Sequence, residues 1–335
     1  MSLGTRTLGR TGIELTTLGF GSTGLGNLYR EQTEGGAMAT VAAAYAGGIR
    51  YFDTAPLYGF GLAEHRVGAA LRRLPKRDIV LSTKAGWRLA RRAPGEAPAG
   101  VSDSLFDGPA PFKPRIDYSY DGVMRSFEDS LQRLGTDHVD ILLLHDCDRR
   151  NHGEEGYRAR FREVMEGAYP ALVALREQGV VRAIGAGLNE WEACADFAEA
   201  GDFDCFLLAG RFTLLDQSSA ESFLPMCERR GIGIVLGGPY NSGILATGAV
   251  EGAMYEYAPA SAEMLERTRG IERVCARHDV PLRAAALQFP LSHPAVATVI
   301  PGARDVAEVE ENLRLMTREI PDALWRELRE GGLIR

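Results

Sequence analysis

The strongest constraint on this chain is a rhythm: short apolar runs alternate with amphipathic stretches of helical length from one end to the other. The runs at 17–20, 49–53, 79–84, 139–145, 181–185, 205–209, 233–236 and 296–300 read as eight buried strands. Between them, helices are expected at 34–46, at the stretch carrying Val67, Ala70, Leu71 and Leu74, and at the stretch carrying Val123, Phe127, Leu131 and Leu134, which Gly135 stops. Further helices are expected at 157–178 (stopped by Gly179), 190–200, 219–230, 262–277, 282–291 (with Pro281 at its start) and 306–315. A leading segment, LGRTGIELT, turns at Gly9 to Gly12 and reads as a small hairpin. Eight strand–helix pairs without a composition break describe one (β/α)8 TIM barrel over residues 1–335, with an N-terminal β-hairpin. A doubly wound sheet is the alternative. It calls for a glycine-rich phosphate turn opening a helix, and GFGSTGLG after the first run has neither the spacing nor the helix.

The chain has 335 residues, 45% hydrophobic and 25% charged, the balance of a soluble globular protein. A net charge of −7 argues against a general nucleic-acid or anionic-membrane surface. No run approaches the roughly 18 apolar residues of a membrane span, and MSLGTRTLGRTG lacks the apolar centre of a signal peptide, so a cytoplasmic location is expected. The five cysteines, Cys147, Cys194, Cys205, Cys227 and Cys275, are scattered without a CxxC pair and read as free thiols, with no metal site.

In a parallel barrel, chemistry sits at the C-terminal ends of the strands. The runs at 49–53, 79–84 and 139–145 end in Asp53, Lys84 and His145, and the loop APLYGFG after the first of these carries Tyr58. Singly, each reads as easily as a surface charge or a satisfied polar residue. Together at successive strand ends they make a proton-transfer device: an ammonium beside a phenol favours phenolate, a carboxylate holds the ammonium, and an imidazole donates to a substrate oxygen. Two connections at this end are long, 87–114 and 146–155, and read as substrate walls. Trp87 reads either as an aromatic floor for a sugar or as a packed core residue, and His152 and Asp148 are further candidates for the mouth.

FDTAPLYGFG, LSTK followed by AGW, VDILLLH and IPGARDVAEVEENL resemble, in order and over nearly the whole chain, the motifs of the aldo-keto reductases. The resemblance implies a barrel that binds an extended nicotinamide dinucleotide at its C-terminal face, with Tyr58 as acid/base, Lys84 and Asp53 tuning it, and His145 orienting the substrate oxygen. APLYGFGLAEHRVG, YDGVMRSFEDSLQRLG, HDCD and AGRFTLLDQ are similar to the D-threo-aldose 1-dehydrogenase branch, which includes L-fucose and L-galactose dehydrogenases and has pyridoxal 4-dehydrogenase close by. That branch implies oxidation of an aldose at C1 to a lactone.

Cofactor contacts are expected at Gly21, Thr23, Asp53, Asn189, Gly237, Gly302, Arg304, Glu308, Glu311 and Asn312; the resemblance implies substrate contacts at Tyr58 and His145, to which the reading of Trp87 as an aromatic floor adds a third. Where many members have Ser-Asn, this chain has GAGLN, so Asn189 is expected to grip the carboxamide. Gly237 stands where many have a ring-stacking tyrosine, with Tyr240 a few residues on. Glu308, where NADP users commonly carry a basic residue, favours NAD, because a carboxylate accepts from the ribose 2′-hydroxyl and repels a 2′-phosphate. Arg304 argues the other way, toward NADP. The expected partner is a small sugar or aldehyde, and the oligomeric state is open. Two other readings are an NADPH-dependent aldehyde or ketone reductase and, from a different class, a cofactor-binding regulatory subunit, against which the complete tetrad speaks.

Overall fold

The computed structural model describes residues 3–75, 78–93, 96 and 105–335. Its centre is an eight-stranded parallel sheet: β1 Phe20–Gly21, β2 Tyr51–Asp53, β3 Val80–Ala85, β4 Ile141–His145, β5 Ala183–Leu188, β6 Cys205–Ala209, β7 Gly233–Gly237 and β8 Val296–Ile300. The strands neighbour one another in chain order, and parallel bridges Leu18 to Val299 and Gly21 to Gly302 close β1 onto β8. Helices cover the outside, which gives a (β/α)8 barrel as the rhythm predicts.

Local chemistry accounts for the helices. Ser119 caps Tyr120–Leu134 by accepting from Gly122 N at 3.0 Å, and Gly135 ends it in the left-handed conformation at φ 62°. Val123, Phe127 and Leu134 on one face are buried against the sheet. The expected helices at 34–46 and 262–277 are Glu34–Ala46 and Ala262–Arg277.

Side-chain alternation in the strands creates two cores and the site. In β4, Leu142 and Leu144 face the helices, whereas Ile141 and Leu143 join Tyr51, Ala183, Cys205, Leu207, Val235, Ala297 and Ile300 inside the barrel. The same inward rows end in Asp53, Lys84 and His145. The inner layers are thus apolar toward the strand starts and polar at the strand ends. A hairpin of Thr5–Thr7 and Glu14–Thr16 plugs the opposite end, sending Leu8, Ile13 and Leu15 into the inner core.

Three expectations are corrected. The first strand is Phe20–Gly21 rather than 17–20, because Thr17 to Gly19 run alongside β8 before pairing with β2 begins. The stretch 146–155 is only partly a loop: after three connecting residues a single helical turn, Arg149–His152, is capped by Asp148, Gly153 breaks it at φ 67°, ψ 170°, and the helix beyond runs to Glu163 and through a π turn, Val164–Ala168, into Tyr169–Glu177, close to the expected 157–178. The connection 87–114 contains strand Trp87–Arg91, which pairs antiparallel with Phe112–Ile116, while 94, 95 and 97–104 lie outside the described residues. Among the described residues, elements that escaped the periodicity include a helix, Asp322–Glu330, a short helix, Ile244–Thr247, and a short hairpin, Met254–Tyr255 with Ala258–Pro259. The five cysteines are free and buried, and among the described residues no helix is long and apolar enough to cross a membrane.

Candidate active site

The inward ends of β2, β3 and β4 bring three of the expected groups together. Lys84 Nζ donates to Asp53 Oδ2 at 2.6 Å and to Thr54 O at 2.9 Å, and both members of the pair are almost wholly buried. Asp53 Oδ1 accepts from Ser82 Oγ at 2.7 Å, and that hydroxyl lies 2.9 Å from Tyr51 OH. Ser82 is two residues before Lys84 on the same inward row, a periodicity signal that would have found it.

Tyr58 reaches the pair from the loop after β2. Its backbone is held by close approach to the turn Thr23–Gly26: a Cβ on Gly26 would lie 2.6 Å from Tyr58 C, and one on Gly59 (φ 62°) 2.4 Å from Gly26 O. Only glycines allow that contact. The ring centroid is 4.7 Å from Lys84 Nζ and 5.8 Å from the His145 ring, which stands edge-on at 85°.

The electrostatics differ from expectation at one point. Burial pushes the Tyr58 phenol above a tyrosine's ordinary value, and Asp53 adds to this; Lys84 and the Thr23 hydroxyl oppose it without reversing it. The ammonium limits the cost of phenolate rather than producing it outright. Burial opposes the charge on Lys84, but Asp53 and Tyr58 outweigh it and hold the lysine protonated. His145 is pushed well below its usual range by burial and by Lys84, so it is a neutral imidazole with one N–H to give. Its Nδ1 is buried with no partner among the described residues.

The other expected contacts ring the mouth. Gly21 bridges Gly302, and a Cβ on Gly302 would meet nothing within 4 Å. Asn189 is anchored through its backbone, N to Asp148 Oδ2 and O to Arg211 Nε. Gly237 lies in the barrel wall against Leu207. Tyr240 OH donates to Asn312 Oδ1 at 2.7 Å and so points along the helix Val306–Met316. Arg304 Nη2 pairs with Glu308 Oε1 at 2.8 Å, and Arg304 N donates to Glu308 Oε2 at 2.9 Å. Glu311 pairs with Arg283 and Arg314. Asp148 is spent on its helix cap and on Asn189 N and does not face the mouth, while His152 Nε2 contacts Asp146 O. Trp87 is half-buried and gives its indole N–H to Asp146 Oδ2 at 2.9 Å. Asp146 itself was missed, although HDCD sets a carboxyl directly after the last residue of a strand.

A nicotinamide dinucleotide fits this mouth. Buried Ser22 Oγ, Thr54 Oγ1 and Asn241 Oδ1 are unpartnered among the described residues, following β1, β2 and β7, and Gly302 leaves open space after β8. Unpaired polar atoms at several strand ends suit an extended polar ligand.

The aldo/keto reductase family model matches residues 17–331. The chain is 42% identical over 334 residues to a pyridoxal 4-dehydrogenase from Microbacterium luteolum, covering 98% of this chain and 97% of that one. It is 39% identical to a D-threo-aldose 1-dehydrogenase from a Pseudomonas species (96% of each) and 29% identical to an L-galactose dehydrogenase from Arabidopsis thaliana (93% and 88%). Among solved structures, the holo form of an aldo-keto reductase from Bacillus halodurans superposes with a TM-score of 0.77 at 24% identity, covering 99% of this chain and 97% of that one. With the barrel, the mouth and these matches together, the chain is an oxidoreductase belonging to the aldo/keto reductase family.

Proposed function

We propose that the protein oxidises the anomeric carbon of an aldose, of the L-fucose, L-galactose or D-arabinose type, to the lactone with NAD. The observation that carries the reading is the buried Lys84–Asp53 pair beneath Tyr58, with neutral His145 beside the phenol. When bound, a nicotinamide dinucleotide would supply the two-electron acceptor for the C1 hydride. Tyr58 takes the proton of the anomeric hydroxyl, so hydride and proton together leave a C=O bond. Lys84 stabilises the negative charge that then develops on Tyr58, and Asp53 with Ser82 holds Lys84 in place. His145 donates to the reacting oxygen and orients it. Ser22, Thr23, Asn189 and Asn241 would hold the cofactor's polar groups, with Glu311 and Asn312 toward adenine.

NAD is favoured because the Arg304 guanidinium is already occupied by Glu308, whose carboxylate would repel a 2′-phosphate. A second reading has equal support from the 42% identity to pyridoxal 4-dehydrogenase. Pyridoxal closes on its own hydroxymethyl group to a cyclic hemiacetal, so the same proton and hydride removal serves both substrates. The test is formation of reduced cofactor from NAD and from NADP with L-fucose, L-galactose, D-arabinose, D-glucose and pyridoxal. NAD-dependent oxidation of the first three sugars supports the proposal, and turnover of pyridoxal alone moves the protein to the second reading. Reduction of aldehydes with NADPH, without either oxidation, overturns both.

A further inference from the structure

The residue after His145 is held in an unusual way. Asp146 is a non-glycine residue at φ 59°, a conformation few side chains adopt, and its carboxyl is about seven-eighths buried. Three elements fix it. Its amide donates to Gly187 O on β5, its carbonyl accepts from His152 Nε2 at 3.0 Å, and its Oδ2 accepts from Trp87 Nε1 at 2.9 Å. The other oxygen, Oδ1, is 3.6 Å from His145 Nε2, too far for a hydrogen bond. An acceptor oxygen is therefore oriented beside the imidazole and left unused by it. The first strand of the insertion after β3 begins with Trp87, so that insertion supplies the clamp on the carboxyl.

A substrate oxygen that accepts from His145 Nε2 would lie beside Asp146 Oδ1, which is 3.6 Å from that nitrogen, and a hydroxyl on the next carbon is a donor that could reach it. We propose that Asp146 is a substrate-recognition carboxyl whose Oδ1 accepts the hydrogen bond of a hydroxyl on the carbon adjacent to the reacting one, selecting 2-hydroxy aldehydes and their hemiacetals. This rests on the reaction site proposed above but not on which sugar fills it. Burial pushes the carboxyl up to about 7, with Asp148 adding to this, so it carries charge toward neutral and alkaline pH, where its acceptor strength is greatest.

The test compares reduction of lactaldehyde, both enantiomers, with reduction of propanal, using the better of NADH and NADPH. The readout is the ratio of kcat/KM for the two aldehydes in the wild type, Asp146→Asn and Trp87→Phe. Asparagine tolerates the left-handed backbone, so the first variant keeps the fold, and circular dichroism checks it. The wild type is expected to prefer lactaldehyde, with Asp146→Asn lowering the ratio by about 10- to 100-fold, the range for loss of a hydrogen bond to a charged group. Trp87→Phe, which frees the carboxyl without removing it, is expected to fall between the two. A wild type that shows no preference, whether both rates are equal or both nil, overturns the proposal. So does an Asp146→Asn enzyme that slows both aldehydes alike. If aldoses are not oxidised but the ratio still collapses in Asp146→Asn, the aldose reading falls and the assignment of Asp146 stands.

Discussion

Replacing Lys84 by methionine tests the coupling at the centre of the site, because it removes the ammonium and keeps most of the stem's volume. Taking the Tyr58 ring centroid as the centre of the phenolate charge, 4.7 Å from Lys84 Nζ, Coulomb's law at an effective dielectric of about 20 gives about 3.5 kcal/mol. At 1.36 kcal/mol per decade this corresponds to a fall of about two to three orders of magnitude in hydride transfer when Tyr58 must act as base. The substitution also leaves Asp53, 2% exposed, without its counter-charge, and breaking a buried pair from one side costs about 3–5 kcal/mol. Burial already raises Asp53, and Lys84 is the first of the groups opposing that rise. A carboxyl whose folded pKa lies above its unfolded value loses stability as pH rises from the unfolded value through the folded one, so Lys84→Met is expected to be least stable on the alkaline side. Adding Asp53→Asn should recover part of the stability but none of the rate. Single-turnover formation of reduced nicotinamide reads the rate, and urea unfolding at mildly acidic and mildly alkaline pH reads the stability. A Lys84→Met enzyme that transfers hydride within about tenfold of the wild type would refute the argument, as would equal stability of the single and double variants.

The remaining expectations can be checked separately. Tyr58→Phe should lower turnover by about 10²- to 10⁴-fold while cofactor binding, read by fluorescence titration, stays close to that of the wild type. Glu308→Gln should free Arg304 and shift the NAD to NADP ratio of kcat/KM toward NADP by about tenfold, the order of one charged hydrogen bond; an unchanged ratio would remove Glu308 from cofactor selection. Burial pushes Asp146 up to about 7, against about 3.9 for a free aspartate, where it faces Lys84, His145, Asp148, Arg150, His152, Tyr118 and Tyr257. Its burial lowers stability progressively between those two pH values, so Asp146→Asn should be more stable than the wild type by about 4 kcal/mol above pH ~7 and equal to it below pH ~4. A Cβ on Gly68 would lie 2.2 Å from Leu134 O where Leu62–Leu71 crosses Tyr120–Leu134, so Gly68→Ala should destabilise by about 1–3 kcal/mol in urea unfolding.

Much of this arrangement was legible from periodicity. Apolar runs of strand length separated by amphipathic helices leave a parallel barrel as the economical closure, and a barrel brings the strand ends Asp53, Lys84 and His145 to one mouth. The helix bounds at 34–46 and 262–277 were readable because Thr33 and Ser261 cap them and their buried faces repeat at helical spacing. The insertion after β3 was not readable. Its hairpin, Trp87–Arg91 with Phe112–Ile116, has no clean alternation and is held by pairing across a connection that composition alone reads as loop. The turn Arg149–His152 before Gly153 was missed because the signal was a charged stretch, RRNHGEE, and its cap, Asp148, looked like a residue for the mouth.

What the sequence determined by itself is therefore the barrel, its inward rows and the identity of the groups at their ends, because each follows from neighbours two, three or four residues apart along the chain. Only the tertiary structure decided how those groups behave. Whether burial or Lys84 governs Tyr58, whether Arg304 is free or tied to Glu308, and whether Asp146 is loose or clamped by Trp87 all depend on atoms that are distant in sequence and adjacent in space. Charge and hydrogen-bond energies fall off with distance through the fold, which sequence spacing does not encode.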